Sequence, residues 1–242
     1  METLDIITIS FLSTLLLILI VVGYLEITIH KLSLKNIPIR IHVNGTRGKS
    51  SVARLIAAGM RAGGLKTYAK TTGTTPQIIN EKGNDIPIHR LRSASIGEQI
   101  KLIRYFSKKK PDALIMECMA VNPQYQWISE HGIVQSTLGV ITNVRPDHLD
   151  EMGYTMNNIA KSLSNSIPTN GTLFAHKDRF LSLFKNIALK RNSKVKSVKD
   201  NVVDEDYMQK FNYYEHKENV ELALSVCEEI GIDRKTALKG IL

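Results

Sequence analysis

Residues 40–60 read RIHVNGTRGKSSVARLIAAGM: a short apolar strand, a turn bracketed by Gly45 and Gly48 and closed by Lys49-Ser50, then an amphipathic helix. No other stretch constrains the fold as strongly. It sets a run of backbone N–H groups at the carboxyl end of a strand and at the positive end of a helix dipole. The two glycines let those amides turn toward an anion with no Cβ in the way. Lys49 is placed to reach terminal phosphates, and the Ser50 hydroxyl suits Mg²⁺. The commoner spacing, G-x-x-x-x-G-K-[ST], would put a glycine where this chain has Val43, so the loop Gly45-Thr46-Arg47-Gly48-Lys49-Ser50 is a shortened phosphate cradle. The plain alternative is a glycine-rich helix entry with an exposed lysine.

The rest of the chain repeats the strand-then-helix pattern. Strands are predicted at 37–45, within 66–76, at 112–121, within 137–148 and from Gly171. Helices are predicted at 48–64, at 93–110 (opened by Ser93 or Ser95), around Asn122 to Glu130, from a Thr155 cap to about Ser166, and after the strand that begins at Gly171. Two more close the chain, broken at Gly231. Near-continuous apolar strands separated by helices predict an α/β fold, a P-loop-containing parallel sheet with helices on both faces. In such sheets ligands bind beyond the carboxyl ends of the strands.

Ahead of this lies Ile6–Leu25, 20 residues without a charge. As a helix it spans roughly 30 Å, the thickness of a bilayer's hydrocarbon core. Its start is acidic (METLD) and its far flank carries His30, Lys31, Lys35 and Arg40. It therefore reads as a single-pass anchor over residues 1–30, with the N-terminus outside and residues 31–242 in the cytoplasm. A buried core helix is the alternative. The net charge of +9 collects at 101–110 and 185–199, expected to be solvated helix faces near an anionic membrane, with binding of anionic substrates the second reading. Nucleic acid is not an expected partner, because no aromatic-interleaved basic motif or zinc spacing is present. Cys118 and Cys227 sit in apolar segments and suit a reduced, cytosolic compartment.

Three further loops are candidates for the same edge. Glu117 is a lone carboxylate in the apolar run LIMECMAV, costly to bury unless it is paired or on a metal. ITNVRPDHLD gathers Asn143, Asp147, His148 and Asp150 after a buried strand. KTTGTTP offers Thr72 and Thr74 to phosphate oxygens or a second Mg²⁺, or is an ordinary threonine-rich turn.

In order along the chain, HVNGTRGKSS, a strand-end Glu and TNVRPDHLD resemble the central ATP-binding domain of the Mur ligases and folylpolyglutamate synthases, whose short phosphate loop reads G-T-x-G-K-[ST]. TTGTTP, ECMAV and EHKENVELAL, behind a hydrophobic segment, are similar to the PgsB/CapB type of poly-γ-glutamate synthase subunit. The resemblance covers residues 38–242. It implies a Mur ligase central domain-like fold with ATP and Mg²⁺ as cofactors. Lys49 would bind the β- and γ-phosphates in a backbone cradle of Gly45, Thr46, Arg47, Gly48, Lys49, Ser50 and Ser51. Ser50 and Glu117 would bear on one Mg²⁺, and His148 on a second with help from Thr72 or Thr74. Asn143 would help hold the ATP site, with His216 and Asn219 on the adenine side. Lys49, Glu117 and His148 are thus the implied catalytic residues. Lys161 lies near the place where many Mur ligases carry a carbamylated lysine, an exposed helix lysine being the alternative.

The implied reaction is ATP-dependent amide ligation. ATP phosphorylates a substrate carboxylate, and an amine attacks the acyl phosphate. Glutamate and a growing poly-γ-glutamate chain would be the substrates, and integral-membrane subunits of a synthase and export complex the partners. The family also carries a C-terminal ligase domain, expected to be missing after residue 242. A related ligase acting on a folate or cell-wall precursor stays open, as does a non-catalytic nucleotide-binding subunit of a membrane complex. A GTPase does not, since no N-K-x-D signature is present.

Overall fold

The computed structural model describes residues 2–73, 75–89, 95–198 and 202–242. Helix α1 (Glu2–Lys35) leads into strand β1 (Ile39–Asn44), helix α2 (Lys49–Ala62) and strand β2 (Thr67–Thr71). A hairpin of β3 (Gln77–Ile79) and β4 (Asp85–Pro87) precedes α3 (Gly97–Ser107) and β5 (Ala113–Glu117). Next come α4 (Pro123–Trp127), a π-helical continuation at Ile128–Val134, and β6 (Leu138–Ile141). Helices α5 (Leu149–Met152) and α6 (Met156–Leu163) lead to β7 (Thr172–His176), α7 (Leu181–Lys190) and β8 (Lys194–Val198). Helices α8 (Glu205–Met208), α9 (Lys217–Glu229) and α10 (Arg234–Ile241) finish the chain.

The strands form one sheet in the order β4-β3-β2-β5-β1-β6-β7-β8, parallel from β2 through β8. The chain leaves β1 toward β2 and leaves β6 toward β7. Their connections therefore diverge, and a crevice opens at the carboxyl ends of β1 and β6, where ligands bind in such sheets.

Strand parity assigns every side chain to a layer. Ile41 and Val43 of β1, Ala113 and Ile115 of β5 and Val140 of β6 pack under α2, α9 and α10. The opposite face is covered by α6 and α7 at one end. At the other it is covered by α3, the base of α1 and the π-helical segment. Glu117 follows the parity of Ala113 and Ile115 and so emerges on the α2 side. His42 and Asn44 fall on the other face.

That parity buries polar groups, and each of these two is met. Asn44 donates to Gln126 Oε1 at 2.9 Å and Ser166 Oγ at 3.1 Å, and Gln126 donates on to Ser162 at 3.0 Å. His42, fully buried, sets Nδ1 2.7 Å from Glu130 Oε2. The other carboxylate oxygen accepts from Ser136 N at 2.9 Å and Ser136 Oγ at 2.8 Å. Burial alone would lower the His42 pKa, but its interactions with Cys118 and Glu130 outweigh that and push it up to about 10.

Three expectations need correction. The sheet is mixed rather than purely parallel, because β3 and β4 add an antiparallel edge; at three residues each they are too short for a clear alternation. The basic stretch 185–199 is not one helix face: its described residues, 185–198, split into α7 and the edge strand β8. Edge lysines there oppose pairing with another chain. Helix α3 starts at Gly97, with the Ser95 hydroxyl accepting from Gly97 N at 3.2 Å, while Ser93 lies outside the described residues. The Thr155 cap is present, its hydroxyl accepting from Asn158 N at 3.2 Å, and a short 3₁₀ turn carries the helical path to Ser166.

A raised His42 pKa stabilises the fold fully below the ordinary imidazole value of 6.5 and less and less as pH climbs to about 10. The stability difference between the native chain and Glu130→Gln, measured by thermal melts, should therefore shrink across that window. The variant should cost about 3–5 kcal/mol at neutral pH, as expected when one member of a buried pair is removed. A pH-independent difference would reject the charged pair.

Candidate functional site

The loop between β1 and α2 ties down its first amides, Gly45 N donating to Asn44 Oδ1 at 2.8 Å and Thr46 N to Asn143 O at 3.2 Å, and leaves the start of α2 uncapped. Gly45 has φ 137° and Gly48 φ 79°, both in the range that favours glycine. Gly48 is the N-cap of α2 in the left-handed conformation, and no side chain caps the helix. A Cβ at Gly45 would lie 2.0 Å from Thr142 Oγ1, and one at Gly48 2.8 Å from Asn219 Oδ1. Both glycines are therefore demanded by close approach as well as by φ.

Asn143 fixes the loop to the end of β6. Its Oδ1 accepts from Thr46 Oγ1 at 2.6 Å and from Arg47 N at 3.1 Å, and its Nδ2 donates to Arg47 O at 3.0 Å. Thr142 adds a donation to Arg47 O at 2.6 Å, and Thr46 Oγ1 accepts from Arg145 N at 3.0 Å. Lys49 arches over the loop, its Nζ donating to Gly45 O at 2.8 Å and Thr46 O at 3.2 Å. Arg47 points outward and reaches Asp147 at 3.4 Å.

Glu117, almost fully buried, receives the Ser50 hydroxyl at 2.8 Å and the Thr72 backbone N–H at 2.7 Å on one oxygen. A hydroxyl and a carboxylate facing each other beside a glycine loop at a helix start are hard oxygens of the kind Mg²⁺ takes. Among the described residues no group of three His, Cys, Asp or Glu side chains gathers for a metal. A cation here would therefore rest on Ser50, Glu117 and ligand oxygens, and these residues fit it.

The loop separates two cavities. One, of about 330 Å³, is lined by Gly45, Lys49, Thr72, Glu117, Asp147 and His148. The other, of about 210 Å³, is lined by Arg47, Gly48, Asn143, His176, His216 and Asn219. His148 adopts a left-handed backbone (φ 43°) and leaves its ring half exposed, 3.9 Å from Asp147. His216 is the N-cap residue of α9, and Asn219 is oriented by donating to Glu215 Oε1 at 2.7 Å.

The structure thus brings together Gly45, Thr46, Arg47, Gly48, Lys49, Ser50, Glu117, Asn143, His148, His216 and Asn219, on one or other side of the loop. Thr72 reaches Glu117 through its N–H. Thr74 lies outside the described residues. Ser51 lines a separate cleft with Arg54, Tyr213 and Glu215. Lys161 is exposed on α6 and lines neither cavity. The sequence reading overlooks Thr142, Arg145, His176 and Asp178, which complete the smaller cavity. NVRP places Arg145 in a suspect loop; His176 and Asp178 carry only the weak signal of polar residues just past a buried strand.

Residues 43–241 match the family model described as the Mur ligase middle domain. The chain is 40% identical over 226 residues to the capsule biosynthesis protein CapB of Bacillus anthracis, covering 93% of this chain and 49% of that protein. It is 38% identical over 227 residues to PGA synthase CapB of Bacillus subtilis (strain 168), covering 93% and 58% respectively. The chain thus spans about half the length of the curated relatives it matches. The bifunctional folylpolyglutamate synthase/dihydrofolate synthase of Yersinia pestis, solved with AMPPNP and a Mn ion, matches with a TM-score of 0.67 at 16% identity. That match covers 89% of this chain and 60% of that one, and at such identity it is a likeness of fold.

Replacing Asn143 with alanine removes three hydrogen bonds, each worth about 1 kcal/mol net. Amide hydrogen exchange at Thr46 and Arg47 should quicken while the core strands keep their protection. Unchanged exchange at both would show that the loop holds its shape without Asn143.

Proposed function

The chain belongs to the Mur ligase family through its middle domain, and from that premise we propose that it is the ATP-binding part of a membrane-anchored amide ligase. The reaction proposed is formation of γ-glutamyl amide bonds through an acyl phosphate in poly-γ-glutamate, or capsule, synthesis. One observation carries the reading: the Ser50–Glu117 contact at 2.8 Å lies beside an uncapped glycine loop, with a separate cavity on the loop's other side. Such an arrangement suits a nucleoside triphosphate whose terminal phosphates cross the loop. The capsule relatives, near 40% identity over 93% of the chain, favour glutamate over other acceptors.

In this reading the backbone of residues 45–51 cradles the phosphate chain, chiefly through the N–H groups at the uncapped start of α2, since those of Gly45, Thr46 and Arg47 donate to Asn44 and Asn143. Lys49 exchanges the carbonyls of Gly45 and Thr46 for phosphate oxygens, which costs the loop two hydrogen bonds and gains a stronger charge-assisted pair. Ser50 and Glu117 hold Mg²⁺, which when bound would neutralise charge on the transferring phosphoryl group. His148 and Thr72, which line the larger cavity, would attend a second metal there, Thr74 being the alternative to Thr72 on the resemblance alone. Asn143 keeps the loop open, and His216 and Asn219 border the adenine. The acceptor carboxylate would enter the larger cavity, on the Lys49 side. Glutamate and the growing polymer are the proposed substrates, and integral-membrane subunits of a synthase and export complex the proposed partners.

Helix α1 is long and apolar enough to cross a membrane, and its apolar window is unburied. We propose that Ile6–Leu25 spans the bilayer, with the N-terminus outside and the bulk of the chain in the cytoplasm.

Membranes holding this chain and its partner subunits should release phosphate from ATP in a Mg²⁺-dependent and glutamate-stimulated way. Lys49→Ala and Glu117→Gln should each lower that rate by at least about 10²-fold, in line with loss of one preorganised electrostatic group. Gly48→Ala should weaken nucleotide binding by its clash with Asn219. Nucleotide binding that survives Lys49→Ala and Gly48→Ala unchanged would sink the assignment of the loop.

A further inference from the structure

We infer that helix α3 and the lysine turn after it form a second membrane contact, seated on anionic lipid headgroups beside the α1 anchor. This rests on α1 spanning the bilayer as proposed above.

The level of the membrane surface is marked on α1 by Glu26, the first charge after 20 uncharged residues. Arg104 of α3 closes on that residue: Nη2 lies 2.5 Å from Glu26 Oε2 and 3.2 Å from its backbone oxygen, and Nη1 3.4 Å from Oε1. Helix α3 is therefore held at the height where the apolar run ends. Below the ion pair, Ser33, Leu34 and Ile37 are buried, Leu34 and Ile37 against Ile103 and Phe106. His30 Nε2 lies 2.8 Å from Ile133 O. Helix α1 does not dangle from the domain; it is docked into it.

The outward face of α3 is what such a position requires. Lys101, Tyr105 and Lys108 follow one another at helical i, i+4, i+7 spacing, opposite the buried Ile103 and Phe106. Lys109 and Lys110 continue the patch, and Lys109 Nζ lies 5.5 Å over the Tyr105 ring. Tyr105 is 47% exposed, an amphipathic ring of the type enriched at membrane interfaces. The neighbouring carboxylates are engaged, Glu26 by Arg104, Glu98 of α3 by Lys70 at 3.7 Å and Asp112 Oδ2 by Lys66 N at 2.7 Å, so the patch presents cations.

A second feature agrees. On the face of α1 that α3 leaves uncovered, Leu25, Ile29 and Leu32 remain exposed at 52%, 46% and 54%. The apolar stripe thus continues past Glu26 by about 9–10 Å at helical rise. Lipid lying against that stripe would bring the headgroup layer onto the lysines of α3. Clustered lysines beside a membrane helix are the recognition pattern for anionic headgroups.

The test uses the full chain reconstituted in vesicles of phosphatidylcholine, with or without phosphatidylglycerol. A fluorophore is attached at Tyr105→Cys, the native Cys118 and Cys227 being buried. In anionic vesicles the label should be shielded from aqueous iodide and quenched by headgroup-linked nitroxide. Both effects should fade in neutral vesicles and in the combined variant Lys101→Gln, Lys108→Gln, Lys109→Gln, Lys110→Gln. All forms should resist carbonate extraction, because α1 still anchors them. A label that stays open to iodide in anionic vesicles, in protein that resists extraction, overturns the headgroup contact and leaves the patch to a protein partner. Protein that carbonate extracts overturns the anchor itself and this inference with it.

Discussion

The geometry of the site depends on one side chain reaching between neighbouring strand ends. Asn143, just past β6, clamps the Thr46–Arg47 segment just past β1 through both of its amide atoms. A glycine loop is the least self-supporting kind of backbone, because glycine loses the most conformational freedom on ordering. An external clamp removes that freedom in advance; it takes up the amides of Thr46 and Arg47 and leaves the start of α2 uncapped. The two cavities exist as separate spaces because the clamped loop stands between them.

The clamp works because β1 and β6 are adjacent and parallel, with Asn44 in register with Ile141. Adjacent parallel strands end at the same height, so the residues just beyond each end can touch. The same logic brings Glu117 to Ser50. Strand β5 pairs with β1 on its other side, with Val43 opposite Glu117, and parity turns Glu117 toward the start of α2. A carboxylate that would be costly to bury is stabilised there by a hydroxyl and an amide.

Parity also sets a demand on the far face. The residues of β1 that alternate with its apolar set, His42 and Asn44, must lie between sheet and helices. Their partners arrive from α4, the π-helical segment and the 3₁₀ turn that ends at Ser166. The wider turn of a π-helix, a geometry found often near functional sites, carries Glu130 to the His42 ring and leaves Ser136 to hold the second carboxylate oxygen. This buried polar layer ties the strand that feeds the glycine loop to the helices beneath it, so the loop's base is rigid on both faces of the sheet.

What the sequence determined by itself was local. Glycine spacing, the Lys-Ser pair, apolar strand runs and the helix punctuation at Gly63-Gly64 and Gly231 are short-range signals, since backbone φ and side-chain periodicity act within a few residues. Hence most elements, the glycine loop and the long apolar helix are legible in the order of residues alone. What only the tertiary structure decided was pairing at a distance. Glu130 lies 88 residues from His42, and Asn143 about 96 from the loop it clamps. Arg104 lies 78 residues from Glu26. No local rule links such residues, because strand order and parity choose the partner. The short β3–β4 edge and β8 escape a local reading for the opposite reason. Their residues carry too little alternation to signal a strand, and they become strands because a neighbouring edge offers hydrogen bonds.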